Sequence, residues 1–318
     1  MSTLGETALL DSLMELAGEH SPDAAIGPGD DAAAWRPTER TMSLCSVDSL
    51  VENVDFRRRY QSPYQVGWKA WAAAVSDLSA MGASPRWGLV AALVPPVTAV
   101  AALQAVQLGL VEAAARDGAT ILGGDLSRTA GPLALSVTVL GELSDGSPVR
   151  LDGGGAGDSL LVTGSLGSAA AALARLEAAE PELPAGSWAR LLQPTSRVEA
   201  GRALRRLGAV AMTDVSDGLL LDLGRLCQAS GTGAEIWLDR LPVEGGVAES
   251  LALNGGEDFE LLAAFPTDRV QTLTESWSPE LPGISVLGQL TAEPGIRLLR
   301  SRGGGPVAAP EGDGFRHF

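Results

Sequence analysis

Histidine, lysine and cysteine are nearly missing from this sequence. Among its 318 residues there are two histidines, His20 and His317, both near the ends, and one lysine, Lys69; every other basic residue is arginine. With no HExxH and no Cys/His cluster, zinc, copper and haem are poor candidates for a bound metal. The two cysteines, Cys45 and Cys227, form no CxxC and sit in apolar segments, so reduced, packed thiols in a cytoplasmic protein are expected. The lone lysine lies in VGWKAW, which is no P-loop, and the Gly-rich loop and HRD of protein kinases are missing as well. No apolar run reaches about 18 residues without Gly, Pro or charge, so no membrane span is expected. The opening MSTLGETALL has no basic n-region, so no signal peptide is expected either. A net charge of −16 argues against nucleic acid or an anionic membrane as the main partner.

What is present is apolar and periodic. Hydrophobic residues make up 45% of the chain, enough for a sizeable core in one large or two medium domains. Helical spacing predicts a helix over 6–19, a buried alanine-rich one over 64–81, and another over 97–117 ended by Gly118. TMSLCSVDSLVE reads as a strand ending at Asp48, ATILGGD as a short strand entering a Gly-Gly turn, and PLALSVTVLGEL as a strand. SDGSPVRLDGGGAGD, residues 144–158, is the candidate domain boundary. Beyond it the pattern restarts: strands SLLVTG, AVAMTDV, FELLAAF and ISVLGQL alternate with helices SAAAALARLEAAE, SRVEAGRALRRLG and LLLDLGRLCQASG, with PELPAGS a loop. The tail SRGGGPVAAPEGDGF reads as flexible. Strands and helices alternating in this way predict an α/β (α+β) layered fold.

Acids punctuate these elements. GPGDDAAAW carries Asp30 and Asp31, LCSVDSL carries Asp48, and AVSDLSAMGA carries Asp77. ILGGD ends in Asp125, TDVSDG holds Asp214 and Asp217, and NGGEDFELL holds Glu257 and Asp258. Taken singly, Asp214 or Asp217 also suits a helix N-cap, and Asp125 a turn. Asp77 serves no turn and lies in a segment too apolar for a solvated face, so its carboxylate calls for a cation. Dispersed hard-oxygen ligands without an EF-hand pattern fit Mg²⁺, which combines a few carboxylates with water and substrate phosphates. In a phosphoryl transfer, lysine then contributes little. Acid-bound Mg²⁺, Gly backbone N–H groups and Arg128 or Arg150 would neutralise the phosphates.

The order and spacing of GPGDDAA, SVDSLVENVDF, KAWAAAVSDLSAMGASP, LGGDLSRTAGPLALSVTVLGE, DVSDGLLLDLGRLCQASGTGAEI and GGEDFELL resemble those of thiamine-monophosphate kinases, within the aminoimidazole ribonucleotide synthetase-like superfamily. The resemblance implies a two-domain α/β (α+β) fold. Residues 1–148 would form an N-terminal metal- and ATP-binding dimerisation domain, and 149–318 a C-terminal α/β domain closing the cleft. It implies a homodimer that uses ATP and several Mg²⁺ ions to convert thiamine monophosphate to thiamine diphosphate. Carried over by motif, Asp31, Ser46, Val47, Asp48, Asp77, Asp125, Asp214 and Asp217 are the implied metal ligands. Gly124, Asp125, Arg150 and Ser216 are implied for ATP, and Asp55, Glu257, Gly312 and Phe315 for the acceptor. Three positions depart from the family pattern: Val47 stands for Thr, Asp55 for His, and Gly312 falls near a usual aromatic for which Phe315 substitutes. The acceptor is a phosphate monoester with a second pKa of about 6, so no general base is expected. Two rivals are a related ATP-dependent enzyme with another acceptor and a non-catalytic nucleotide- or thiamine-binding module.

Overall fold

The computed structural model of the chain describes residues 24–26, 33–38, 41–178, 185–310 and 314–315, the first two segments and residues 185–187 by backbone alone. The helix expected over 6–19 lies outside them.

The first half runs β1 (Ala24–Ile26), β2 (Ala33–Thr38), β3 (Thr41–Val51), α1 (Pro63–Ala80), β4 (Ser84–Val94), α2 (Val100–Arg116), β5 (Thr120–Arg128) and β6 (Ala134–Leu143). Its sheet has the order β1-β2-β3-β6-β4-β5 and is antiparallel except for the β4–β5 pair. Asp48 does not end β3, contrary to the sequence reading. The ladder to β6 continues past Asp48↔Val137 to Val51↔Ala134, so the acid stands within the strand. The Gly-Gly turn is not formed either. β5 runs straight through Gly123, Gly124 and Asp125 beside β4, and a Cβ at Gly124 would lie 1.7 Å from the Val90 carbonyl oxygen. Glycine here permits strand contact rather than a turn.

Helix α1 starts one residue earlier than the spacing predicts, because Ser62 and Gln65 form a reciprocal capping box in front of Pro63. It is buried around nearly its whole circumference, with Trp71, Leu78 and Met81 inaccessible in the first core. Each such side chain contributes about 1.5–3 kcal/mol on burial. Helix α2 crosses it closely: a Cβ on Gly67 would sit 1.9 Å from the Val106 carbonyl oxygen.

The second half runs β7 (Ser159–Thr163), α3 (Ser168–Glu177), α4 (Ala185–Leu192), α5 (Val198–Leu207), β8 (Ala211–Val215), α6 (Leu219–Ser230), β9 (Gly233–Trp237), α7 (Glu249–Asn254), β10 (Glu260–Phe265), α8 (Val270–Ser276), β11 (Ile284–Thr291), β12 (Gly295–Leu299) and β13 (Pro306–Val307). Its sheet has the order β13-β12-β9-β11-β7-β10-β8, with β9 and β12 its one parallel pair. The tail is tied down in part: β13 pairs with β12, and the Phe315 N–H donates to the Asp217 carbonyl at 2.9 Å.

The glycine-rich segment 144–158 is also fastened rather than loose. Val149 donates to Met81 of the first half at 3.2 Å, and Met212 of the second half donates to Arg150 at 3.1 Å. Val149 and Leu151 are buried. Phe259, from the second half, packs in the core around α1, and Ala80 of α1 packs in a core of the second half. Helix α1 is therefore shared by both layers, and its one acid is carried to the seam. Among the described residues no helix is long and apolar enough to cross a membrane.

Candidate active site

Lys69, Ala73 and Asp77 lie at i, i+4 and i+8 on α1, so one stripe of the helix faces a common space. That space is a pocket of about 260 Å³ whose lining also includes Val47, Asp48, Asp55, Asp214, Ser216, Asp217, Glu257 and Phe315. Four aspartates thus converge from β3, α1, the end of β8 and the loop after it. Two serines orient them. Ser46 donates to Asp77, and Ser76 donates to Asp214 at 2.5 Å.

These charges disturb one another. The Asp77 carboxyl is pushed well above the ordinary range, first by burial, then by the charge of Asp214, with Asp48 and Asp217 adding to it; the Ser46 hydroxyl opposes the rise. Asp214 is raised too, by burial first and by Asp217 and Asp48, against the Ser76 hydrogen bond. A polycation relieves such a cluster. Among the described residues no three His, Cys, Asp or Glu side chains already surround a single point closely enough to hold an ion by themselves. A set made only of hard oxygens suits Mg²⁺, which takes one or two carboxylates plus water and phosphate oxygens.

The loop after β8 is held from behind. Asp222 Oδ2 accepts the N–H groups of Ser216, Asp217 and Gly218 at 3.1, 3.0 and 3.1 Å, and Arg225 bonds both Asp217 and Asp222, at 2.6 and 2.9 Å. Opposite it runs the GGEDFE segment, where Glu257 (φ 69°) and Phe259 (φ 48°) adopt the left-handed region that non-glycine residues avoid. Glu257 and Phe259 donate to the Ser216 and Val215 carbonyls at 2.8 and 2.9 Å. Glu260, fully buried, anchors the segment through Thr163, Arg190 and a bidentate Arg197, all within 2.6 Å. Strain of this kind persists where surrounding bonds over-determine it, and it gathers at functional sites.

A second, mainly apolar pocket of about 150 Å³ adjoins the first. Val54, Phe56, Tyr60, Leu173, Leu191 and Phe315 line it, and Asp55, Lys69, Ser216 and Glu257 belong to both pockets. A larger groove of about 770 Å³, beside Arg86, Arg116 and Glu199, holds none of the expected site residues.

The remaining expected residues fall as follows. Val47 lines the acidic pocket, although its side chain is largely exposed. Ser46 reaches the site through Asp77. Asp55 spends its carboxylate on the Val51 N–H at 2.7 Å, a local turn contact. Gly124 and Asp125 stand on β5, exposed, with Asp125 accepting from Ser127 at 2.7 Å; they do not line the pocket. Arg150 is exposed at the boundary and pairs with Asp152. Asp31 and Gly312 lie outside the described residues.

Sequence reasoning missed Lys69 and Asp222. It discounted lysine as a source of charge, yet Lys69 is the one cation lining the acidic pocket among the described residues. A lone lysine two helical turns before Asp77 in an alanine-rich helix was the available signal. Asp222 carried none beyond its place in the first turn of α6.

Comparison with known proteins places this geometry in a family. Residues 29–143 match the AIR synthase related protein N-terminal domain, and 155–300 the corresponding C-terminal domain. The chain is 33% identical over 327 residues to thiamine-monophosphate kinase of Salmonella typhimurium, covering 99% of this chain and 98% of that protein. Against the Bacillus subtilis thiamine-monophosphate kinase it is 33% identical, covering 80% and 82%. A solved structure of AaThiL complexed with AMPPCP and TMP superposes with a TM-score of 0.85 at 30% identity, covering 100% and 98% of the two chains. Hydrogenase maturation protein HypE, at 18% identity and a TM-score of 0.72 in its complex with HypF, shares the fold. The chain belongs to the thiamine-monophosphate kinase family.

Proposed function

We infer that the acidic pocket and its apolar neighbour form one phosphoryl-transfer centre. The chain phosphorylates thiamine monophosphate with ATP as donor, giving thiamine diphosphate and ADP. The observation that carries the reading is the convergence of Asp48, Asp77, Asp214 and Asp217 on a space that opens directly onto an apolar pocket. The complex of a relative with AMPPCP and TMP supports a nucleotide and thiamine monophosphate in this cleft.

The four aspartates, with Ser46, the Val47 backbone, Asp125 and Asp31, are the proposed Mg²⁺ ligands. Bound Mg²⁺ supplies the charge compensation that lets two polyanions approach. The protein's own residues position and desolvate. Ser46 and Ser76 fix the carboxylates they donate to. Asp222 holds the Ser216–Asp217 loop, whose Ser216 is proposed, with Gly124, Asp125 and Arg150, to contact ATP. Phe315 and the apolar wall take the thiamine rings, with Asp55, Glu257 and Gly312 on the acceptor side. No side chain has to abstract a proton, because the monoester phosphate, with a second pKa of about 6, is already largely ionised at neutral pH. Catalysis is then positioning plus electrostatics.

We propose residues 1–148 and 149–318 as the two domains, the second closing the cleft. A homodimer is proposed from one surface: Leu89, Leu93, Leu122 and Leu126, on β4 and β5, are exposed apolar side chains at the edge of the sheet, where β5 has no further strand partner among the described residues. Two free thiols fit a reducing, cytoplasmic setting.

The direct test mixes protein, ATP, Mg²⁺ and thiamine monophosphate and follows thiamine diphosphate and ADP. Formation of both in equal amounts, lost on chelation, is the expected result. Nucleotide binding without product would instead favour a non-catalytic module.

A further inference from the structure

Lys69 occupies a place that charge balance does not explain by itself. It is 2% exposed, a buried cation in the shared wall of the two pockets. Its Nζ donates to the Asp55 carbonyl at 2.8 Å and to the Glu257 carboxylate. An ammonium has three donors, so these two partners leave one for a ligand. Burying an ammonium is costly, and a single partly exposed glutamate compensates its charge while leaving its position open to both cavities. Around it stand the carboxyl groups of Asp48, Asp55, Asp77, Asp214, Asp217 and Glu257, so a phosphate that leaves the apolar pocket, where Arg57 is engaged with Glu177, finds in the acidic pocket Lys69 as the one positive side chain among the described residues, beside any bound cations.

We propose that Lys69 receives the phosphate of the acceptor at the junction of the two pockets. This rests on the phosphoryl-transfer reading above and deepens it by assigning the group that distinguishes a phosphorylated from an unphosphorylated thiamine. The geometry gives three reasons. Lys69 belongs to both linings, where the phosphate must sit if the rings lie in the apolar pocket and the reacting oxygen faces the acids. Its helix is locked between two cores, so the ammonium is preorganised. Its anchor, Glu257, has a left-handed backbone conformation held by the Ser216 carbonyl, which ties the cation to the loop proposed for ATP. A point charge suits this place: it neutralises without demanding the planar fork that arginine brings.

The test compares thiamine and thiamine monophosphate as ligands of the full-length protein, by calorimetry with Mg²⁺ and a nonhydrolysable ATP analogue, alongside steady-state kinetics. In Lys69→Met the affinity for thiamine monophosphate is expected to fall about 10- to 100-fold, the loss of one charged hydrogen bond. Thiamine and the ATP analogue should keep their affinities within about twofold. Lys69→Arg should recover part of the loss, with kcat lagging KM. Because Lys69→Met leaves Glu257 without its partner, the double variant Lys69→Met/Glu257→Gln provides a second reading in a charge-matched background, and the single Glu257→Gln keeps the cation. Discrimination between the two ligands should survive in Glu257→Gln and shrink by about the same 10- to 100-fold in the double variant. Equal loss of thiamine and thiamine monophosphate, or discrimination undiminished in the double variant, would overturn the assignment. If the unaltered protein forms no thiamine diphosphate, the reading of the activity fails. If it turns over normally while Lys69→Met keeps its affinity, only the role of Lys69 falls.

Discussion

Ser76 and Asp214 are 138 positions apart in the chain, yet the Ser76 hydroxyl donates to the Asp214 carboxylate at 2.5 Å and joins the central helix of one layer to the strand end of the other. The bond holds a carboxylate that lines the acidic pocket. Ser76→Ala should therefore raise the Mg²⁺ concentration needed for half-maximal turnover about tenfold while lowering stability by about 1–3 kcal/mol, since it leaves a buried acceptor unmet. Magnesium titration of the rate, alongside a denaturant melt, checks both effects. An unchanged Mg²⁺ requirement would mean that Asp214 does not act on the metal.

Asp77 has the opposite character, because its charge opposes folding until a cation arrives. In Asp77→Asn the chelated protein should melt several degrees higher than the parent, while turnover drops at least about 100-fold. Thermal melts in a chelator and initial rates in Mg²⁺ measure the two halves. A stabilised variant that keeps its rate would remove Asp77 from the chemistry.

Burial pushes both Asp222 and Asp258 up to about 8, from an ordinary 3.8. A carboxyl raised in the folded state binds its proton more tightly there than in the unfolded chain. The stability it lends is complete below pH 3.8 and fades as pH rises through about 8. Asp77 and Asp214 act in the same direction. Melting temperature in a chelator should decline by several degrees between about pH 5 and 8, and Mg²⁺ should flatten that decline. A curve that rises over this range without Mg²⁺ would contradict the charge analysis.

Glu260 is the anchor under the strained GGEDF turn. Glu260→Gln leaves Arg197, itself buried, without a counter-charge, so a loss of about 3–5 kcal/mol is expected in urea. A change under about 1 kcal/mol would show that the ion cluster is replaceable.

How much of this could be read beforehand follows from what each residue type announces. Asp77 was legible because an acid in an alanine-rich helix contradicts its surroundings. The alternating elements and the helix end at Gly118 (φ 76°) were legible from period and glycine chemistry. GGD misled, since two glycines indicate a turn and a close strand contact equally well, and Val90 beside Gly124 decides between them. Asp48 misled because an acid was read as a strand terminus, whereas pairing with β6 overrides that preference. The segment 144–158 reads as a loose boundary because composition cannot show that Val149 is bonded to Met81. Lys69 stands in no P-loop, and the partner that fixes it, Glu257, is 188 positions away, which no local pattern announces.

The central claim is that side chains from separated segments assemble a cage for divalent cations that holds the triphosphate. Crystals grown with Mn²⁺ and a nonhydrolysable ATP analogue test it through the anomalous signal of manganese. Peaks among Asp48, Asp77, Asp214 and Asp217, bridged to nucleotide phosphates, are the predicted result; a nucleotide bound with no manganese among these four aspartates would contradict it.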